Sequence, residues 1–225
     1  MELKSERMRI KRNVFIFLVL TILSCNASAQ DDDFGLWLEA FANKKYSSSE
    51  FSLYSEFYTY NNNRSIDRIS IGLEGDRDVF SFMKAGVGYL LMNKNKTEDY
   101  ELRHRFYANV KFKWEVFNLR FSLRERYQLT RYPGHNLESP EYLNYWRNKM
   151  KISYEIPSCK VKPVIGVETF ILTNKQVSDR LDEIRYSLSA LYPLTDSTDI
   201  ELYGLVAQMH DLNQYIIGVS YQIKL

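Results

Sequence analysis

The eleven residues YIIGVSYQIKL, Tyr215 to Leu225, place an apolar or aromatic side chain at every second position: Tyr215, Ile217, Val219, Tyr221, Ile223 and Leu225. Successive side chains of an extended strand point to opposite faces, so this parity makes one continuous apolar surface. Gly218, Ser220, Gln222 and Lys224 face the other way. The expectation is a strand that runs to the last residue of the chain.

The same alternation recurs upstream. Tyr100, Leu102, Phe106, Ala108, Val110, Phe112 and Trp114 share one parity, against Glu101, Arg103, Arg105, Asn109, Lys111 and Lys113 on the other. Leu119, Phe121, Leu123, Tyr127 and Leu129 stand against Arg120, Ser122, Arg124, Arg126 and Gln128, and Trp146, Met150, Ile152, Tyr154 and Ile156 against Arg147, Lys149, Lys151, Ser153 and Glu155. These strands read about 12 to 15 residues, longer than the five or six of a typical globular sheet and long enough to cross a membrane when tilted.

Eleven segments carry the pattern: 34–43, 49–60, 64–75, 79–92, 98–114, 117–131, 144–156, 160–172, 180–192, 198–209 and 213–225. The fold class is all-β, an antiparallel transmembrane β-barrel. With the C-terminus in the periplasm, the connectors Asp76-Arg77-Asp78, Glu115-Val116 and Pro157-Ser158-Cys159 fall inside, and the longer ones, Asn93 to Thr97, Tyr132 to Leu143 and Thr173 to Asp179, fall outside. Short inner turns and long outer loops are the barrel asymmetry. Bacterial single-chain barrels have an even number of strands, so about ten are expected, with 34–43 as an accessory segment; twelve is the alternative. Trp37, Trp114, Trp146, Tyr58, Tyr60, Tyr89 and Tyr192 lie near strand ends, where aromatic rings serve as an interfacial girdle or as filling.

The beginning of the chain points the same way. Lys4, Arg7, Arg9, Lys11 and Arg12 precede the ten-residue apolar run Val14 to Leu23, and Ala27-Ser28-Ala29 follows, as in a cleaved secretory signal. The run is well short of the roughly 20 residues that span a bilayer as a helix. Residues 1–29 are read as signal peptide and 30–225 as barrel; the alternative is a lipidated Cys25 after Ile22-Leu23-Ser24. The signal holds five of the 30 basic and two of the 28 acidic side chains, leaving 25 against 26, so the slight basic excess carries no nucleic-acid argument. After cleavage Cys159 stands alone and no intramolecular disulfide can form.

Parity sends the charges to the lumen. Arg103, Arg105, Lys111, Arg120, Arg124, Arg126, Arg147, Lys149 and Arg185 are the candidate basic residues, with Glu155, Glu168 and Glu201 as acids and Glu74 and Glu101 beside them. Buried charges are tolerable only when paired, so a packed polar plug is expected. An anion-attracting lumen is the functional counterpart, since the bases concentrate on three neighbouring strands.

His104-Arg105, Arg124-Glu125-Arg126-Tyr127-Gln128, Tyr154-Glu155-Ile156-Pro157, Lys162-Pro163 with Glu168 and Phe170, Arg185-Tyr186, Glu201-Leu202-Tyr203 and Ile217-Gly218-Val219-Ser220-Tyr221 follow one another in order. In that order they resemble an uncharacterised outer-membrane barrel family of Bacteroidetes, a domain of unknown function. The resemblance implies an outer-membrane barrel with no catalytic residues to carry over, surrounded by lipid and recognised by the barrel-assembly machinery through its C-terminal strand. Leu225 departs from the aromatic residue common at that terminus.

An enzyme reading starts from the three histidines: His104 shares parity with Leu102 and Phe106 and would face lipid, and the outer loops could bring His135 and His210 near Asp179, Asp211 or Ser139. Without the motifs of barrel lipases or proteases, no catalytic role is expected. Asp31-Asp32-Asp33 lacks the spaced ligands of a calcium loop, and neither a metal nor a cofactor is expected. A third reading is a lipocalin-like barrel with its apolar parity turned inward around a hydrophobic ligand.

Overall fold

The computed structural model describes residues 32–96, 99–132, 142–174, 181–209 and 212–225. Residues 32–225 form one unit of eleven strands: β1 Asp33–Tyr46, β2 Ser49–Tyr60, β3 Ser65–Phe80, β4 Met83–Lys96, β5 Asp99–Val116, β6 Leu119–Arg131, β7 Tyr142–Tyr154, β8 Lys162–Leu172, β9 Leu181–Thr195, β10 Thr198–Met209 and β11 Asn213–Lys224. Each pairs antiparallel with its chain neighbours, and β1 and β11 close the barrel.

The closing pair is parallel, in register from Asp33 opposite Gln214 to Asn43 opposite Lys224. A meander with an odd number of strands can only close so, because its first and last strands run the same way. Segment 34–43, expected as an accessory, is therefore a strand of the wall, and the wall is mixed rather than purely antiparallel. The physical reason is backbone satisfaction: β1 pairs with β2 on one edge and β11 on the other, so no edge is left with unpaired N–H and C=O groups. The Leu225 amide continues the seam by donating to the Asn43 carbonyl, 2.8 Å.

Asp33 lies at the long-loop end, where its carboxylate accepts from the Asn62 amide (2.8 Å) and the Gln214 side chain (2.9 Å). The opposite end carries short turns, and the strands there are longer than their apolar pattern suggests. Asp76-Arg77-Asp78 is part of β3, with the turn at Ser81-Phe82. Ser47, Phe117 and Ser158 adopt positive φ in these turns.

The outer face carries large apolar side chains on every strand. Leu38, Leu53, Ile71, Val87, Phe106, Tyr127, Trp146, Ile165, Tyr186, Leu202 and Ile217, one from each of β1 to β11, are all exposed. Inside, three tyrosines lie flat against the wall over glycines directly opposite them: Tyr54 on Gly72, Tyr107 on Gly88 and Tyr203 on Gly218. A Cβ added at any of the three would come within 2.3 Å of the ring. Glycine here makes room for an aromatic ring in a narrow lumen.

Candidate functional site: a charged lumen

The inward parity of the eleven strands lines a cavity of about 500 Å³. Seven of its lining residues are acidic and eleven basic, an excess of four positive charges. The acids gather on one wall, Glu39, Glu50, Glu56, Glu74 and Asp76 on β1 to β3; Glu168 and Glu201 are the exceptions. The bases dominate β5 to β7.

Two carboxylates organise the middle. Glu168 on β8 is buried and accepts from Arg124 Nη2 (2.5 Å) and Arg147 Nη2 (2.7 Å), with Lys149 Nζ at 3.3 Å. Glu74 accepts from the Tyr107 hydroxyl (2.6 Å), from Arg126 (3.2 Å) and from Lys111, which also reaches Asp76 at 2.7 Å. The hydroxyls of Tyr107 and Tyr54 share a hydrogen bond of 2.8 Å, and the Arg126 guanidinium lies over the Tyr107 ring. Such charges are tolerable in a low-dielectric interior because they are paired and hydrogen-bonded.

Toward the long-loop end the lumen fills. Arg68 lies over Tyr58, Tyr58 stacks on Trp37 with ring centroids 4.2 Å apart, and Arg185 lies between Trp37 and Phe170 with Arg147 over Phe170. This relay crosses the lumen from β3 through β2 and β1 to β9, β8 and β7. Leu90, Met92, Gln128, Thr130, Ala207 and Ile216 are buried around it. Ion pairs of Arg103 with Glu101 (2.6 Å) and Arg185 with Glu183 (2.7 Å) lie beyond.

Toward the short turns the inward residues are more open. Asn43, Ser52, Lys84, Ser122, Lys151 and Gln222 are half-buried and Lys113 is exposed. Among the described residues Lys113 and Arg105 form no ion pair; Arg105 donates to Thr130 at 3.2 Å.

Of the expected lumenal residues, Arg105, Lys111, Arg124, Arg126, Arg147, Lys149, Glu168, Arg185 and Glu201 line the cavity. Arg103 faces inward beyond it. Arg120 and Glu155 belong to the short-turn rim, where Arg120 contacts Glu115 (2.5 Å) and Glu155 (3.6 Å). Glu155 also accepts from Lys162 at 2.6 Å, and that hydrogen bond holds its carboxyl below the usual range. The strands reach past the cavity at this end, so inward parity there leads to solvent rather than to the lumen.

His104 sits on the outer face, its Nδ1 2.7 Å from the Tyr89 hydroxyl. His135, His210, Ser139, Asp179 and Asp211 lie outside the described residues. Among the described residues no group of three or more His, Cys, Asp or Glu could hold a metal.

Sequence reasoning missed three features. Trp37 on β1 and Tyr58 on β2 face inward as the centre of the relay, which the parity of each strand carries once 34–43 is counted in the wall. Glu39, hydrogen-bonded by the Tyr58 hydroxyl at 2.5 Å, belongs to the same strand. Glu125 faces outward between Leu123 and Tyr127, accepting from Trp146 Nε1 at 2.8 Å, and stands opposite Asn148. It too was legible as a break in the apolar parity.

A search of curated proteins gives no match for the chain. The family described as a protein of unknown function (DUF2490) matches residues 34–223, from the second residue of β1 to the penultimate residue of β11, and the chain belongs to that family.

Proposed function

We propose that the protein is an integral β-barrel of a bacterial outer membrane, exported with cleavage after Ala29, that has no enzymatic activity and whose lumen serves small anionic solutes without forming an open through-channel. The observation that carries this reading is the exposed apolar face found on all eleven strands of a closed wall. In water such a surface would be an aggregation liability, whereas in hydrocarbon it is the solvent-compatible face, and closure satisfies the backbone there. The positive excess of the lumen supports the anionic preference, and the arginine–aromatic relay supports occlusion. Insertion proceeds through recognition of β11 by the assembly machinery, with lipid as the surrounding partner.

The lipocalin-like alternative needs the apolar parity to line the lumen, and here that parity faces out. The test is expression of the full chain with outer-membrane fractionation and gel migration with and without boiling. A membrane-bound, heat-modifiable band is expected; a chain soluble without detergent after signal removal would sink the reading. In planar bilayers the purified barrel is expected to give no stable conductance steps.

A further inference from the structure

Two rows of side chains in the short-turn half of the lumen are unbalanced in charge. Lys111 stands directly opposite Arg124 and Arg124 directly opposite Lys149, a row of three cations on β5, β6 and β7. The next row toward the short turns is Lys113, Ser122 and Lys151, also direct neighbours. Like charges directly opposite one another destabilise a sheet, so such rows need a counter-charge. Lys111 has one, in Glu74 and in Asp76 at 2.7 Å, and the other four cations have less. Glu168 is shared by Arg124, Arg147 and Lys149, Glu201 reaches Lys151 only at 3.4 Å, and Lys113 forms no ion pair among the described residues. The buried Nε of Arg124 has no hydrogen-bond partner, an unused charged donor on the wall of the cavity.

Spacing sets the size of what fits. Neighbouring strands are about 4.8 Å apart and inward residues along one strand about 6.7 Å apart, so the two rows form a patch about 7 by 10 Å, the scale of one or two linked oxyanion groups. We propose that these rows bind a small, multiply charged oxyanion of the phosphate or pyrophosphate class, reached from the short-turn end of the lumen. This assignment rests on the anionic lumen proposed above and adds the residues, the charge class of the ligand and the side of access. Arg124 supplies a planar donor, the lysines mobile point charges and Ser122 a hydroxyl, a mixed donor set suited to tetrahedral oxyanions. Relief of the cation–cation contacts on binding would also stabilise the barrel through linkage.

The test uses the full mature barrel in detergent, with inorganic pyrophosphate as probe against chloride at matched ionic strength. Calorimetric titration is expected to give one site per barrel, and the unboiled-to-boiled gel transition is expected to move to higher temperature with pyrophosphate. The double variant K113Q/K151Q removes two half-open lysines, and its binding is expected to weaken about tenfold or more, the size of losing charge-assisted contacts. K45Q, outside the two rows, is expected to bind as wild type. In a C159S background, S122C is expected to react with an anionic thiol reagent and to be protected by pyrophosphate. Absence of binding, equal displacement by chloride, or unchanged binding by a heat-modifiable K113Q/K151Q barrel would overturn the assignment. Fractionation reports membrane residence separately, so a membrane-bound barrel that ignores pyrophosphate removes this site and leaves the outer-membrane reading standing.

Discussion

The two halves of the lumen are both charged and solve opposite problems. Toward the long loops, arginines are flattened on aromatic rings and paired with carboxylates, and the interior is filled by buried side chains. Toward the short turns, lysines predominate, Glu168 is shared and Glu201 stands off at 3.4 Å from Lys151, and side chains remain partly open. Arginine suits the first because its weakly hydrated plane stacks and forks, and lysine suits the second because its hydrated ammonium keeps contact with water. The difference teaches that a charged lumen is not one environment: half is filled structure, and half keeps its cations partly open around a few carboxylates.

The sharpest way to break the comparison is at the junction. Replacing Glu168 by Gln leaves Arg124, Arg147 and Lys149 without their shared counter-charge in a buried place, and the expected loss is about 3–5 kcal/mol. Urea unfolding of the barrel in lipid vesicles measures it, and a loss below that of an exposed pair would mean that water already reaches this carboxylate. Next in size is Gly88→Ala. Its Cβ would meet the Tyr107 ring, which must move and release the hydroxyl from Glu74, at an expected cost of about 1–3 kcal/mol. The same unfolding assay reads it, and a double-mutant cycle with Tyr107→Phe is expected to show coupling.

In the open half the stakes fall. Lys84 pairs with Glu50 (2.8 Å) and Asp78 (3.3 Å) near the turns, and Lys84→Gln is expected to cost about 0.2–1 kcal/mol in the same measurement. The smallest effect is at the rim. The carboxyl of Glu155 is held down by Lys162, so its contribution is complete above the ordinary carboxylate range and disappears as pH falls through the lowered value. Wild type and E155Q are therefore expected to differ slightly in unfolding midpoint at neutral pH and to converge in acid.

Much of this architecture was legible in the chain because a β-strand repeats every two residues. The parity of Tyr100 to Trp114 already separates the wall's two faces, and all eleven segments read from the sequence are strands. What alternation cannot convey is which strand lies across the lumen from which. Lys111 meets Glu74, 37 residues away, and Arg124 meets Glu168, 44 away, because the barrel curves them together. Parity also carries no depth, so it groups Arg120 and Glu155 with residues that lie well inside the wall. An even-count rule excludes segment 34–43, although its own alternation marks it as wall.

The sequence by itself determined the strands, their faces and the apolar exterior, since each follows from local alternation and from the burial preference of single side chains. Only the tertiary structure decided the parallel seam, the arginine–aromatic relay and the cation rows of β5 to β7. Those depend on closure, and closure is a property of the whole ring: it fixes which inward side chains share a level and how many charges must share one carboxylate.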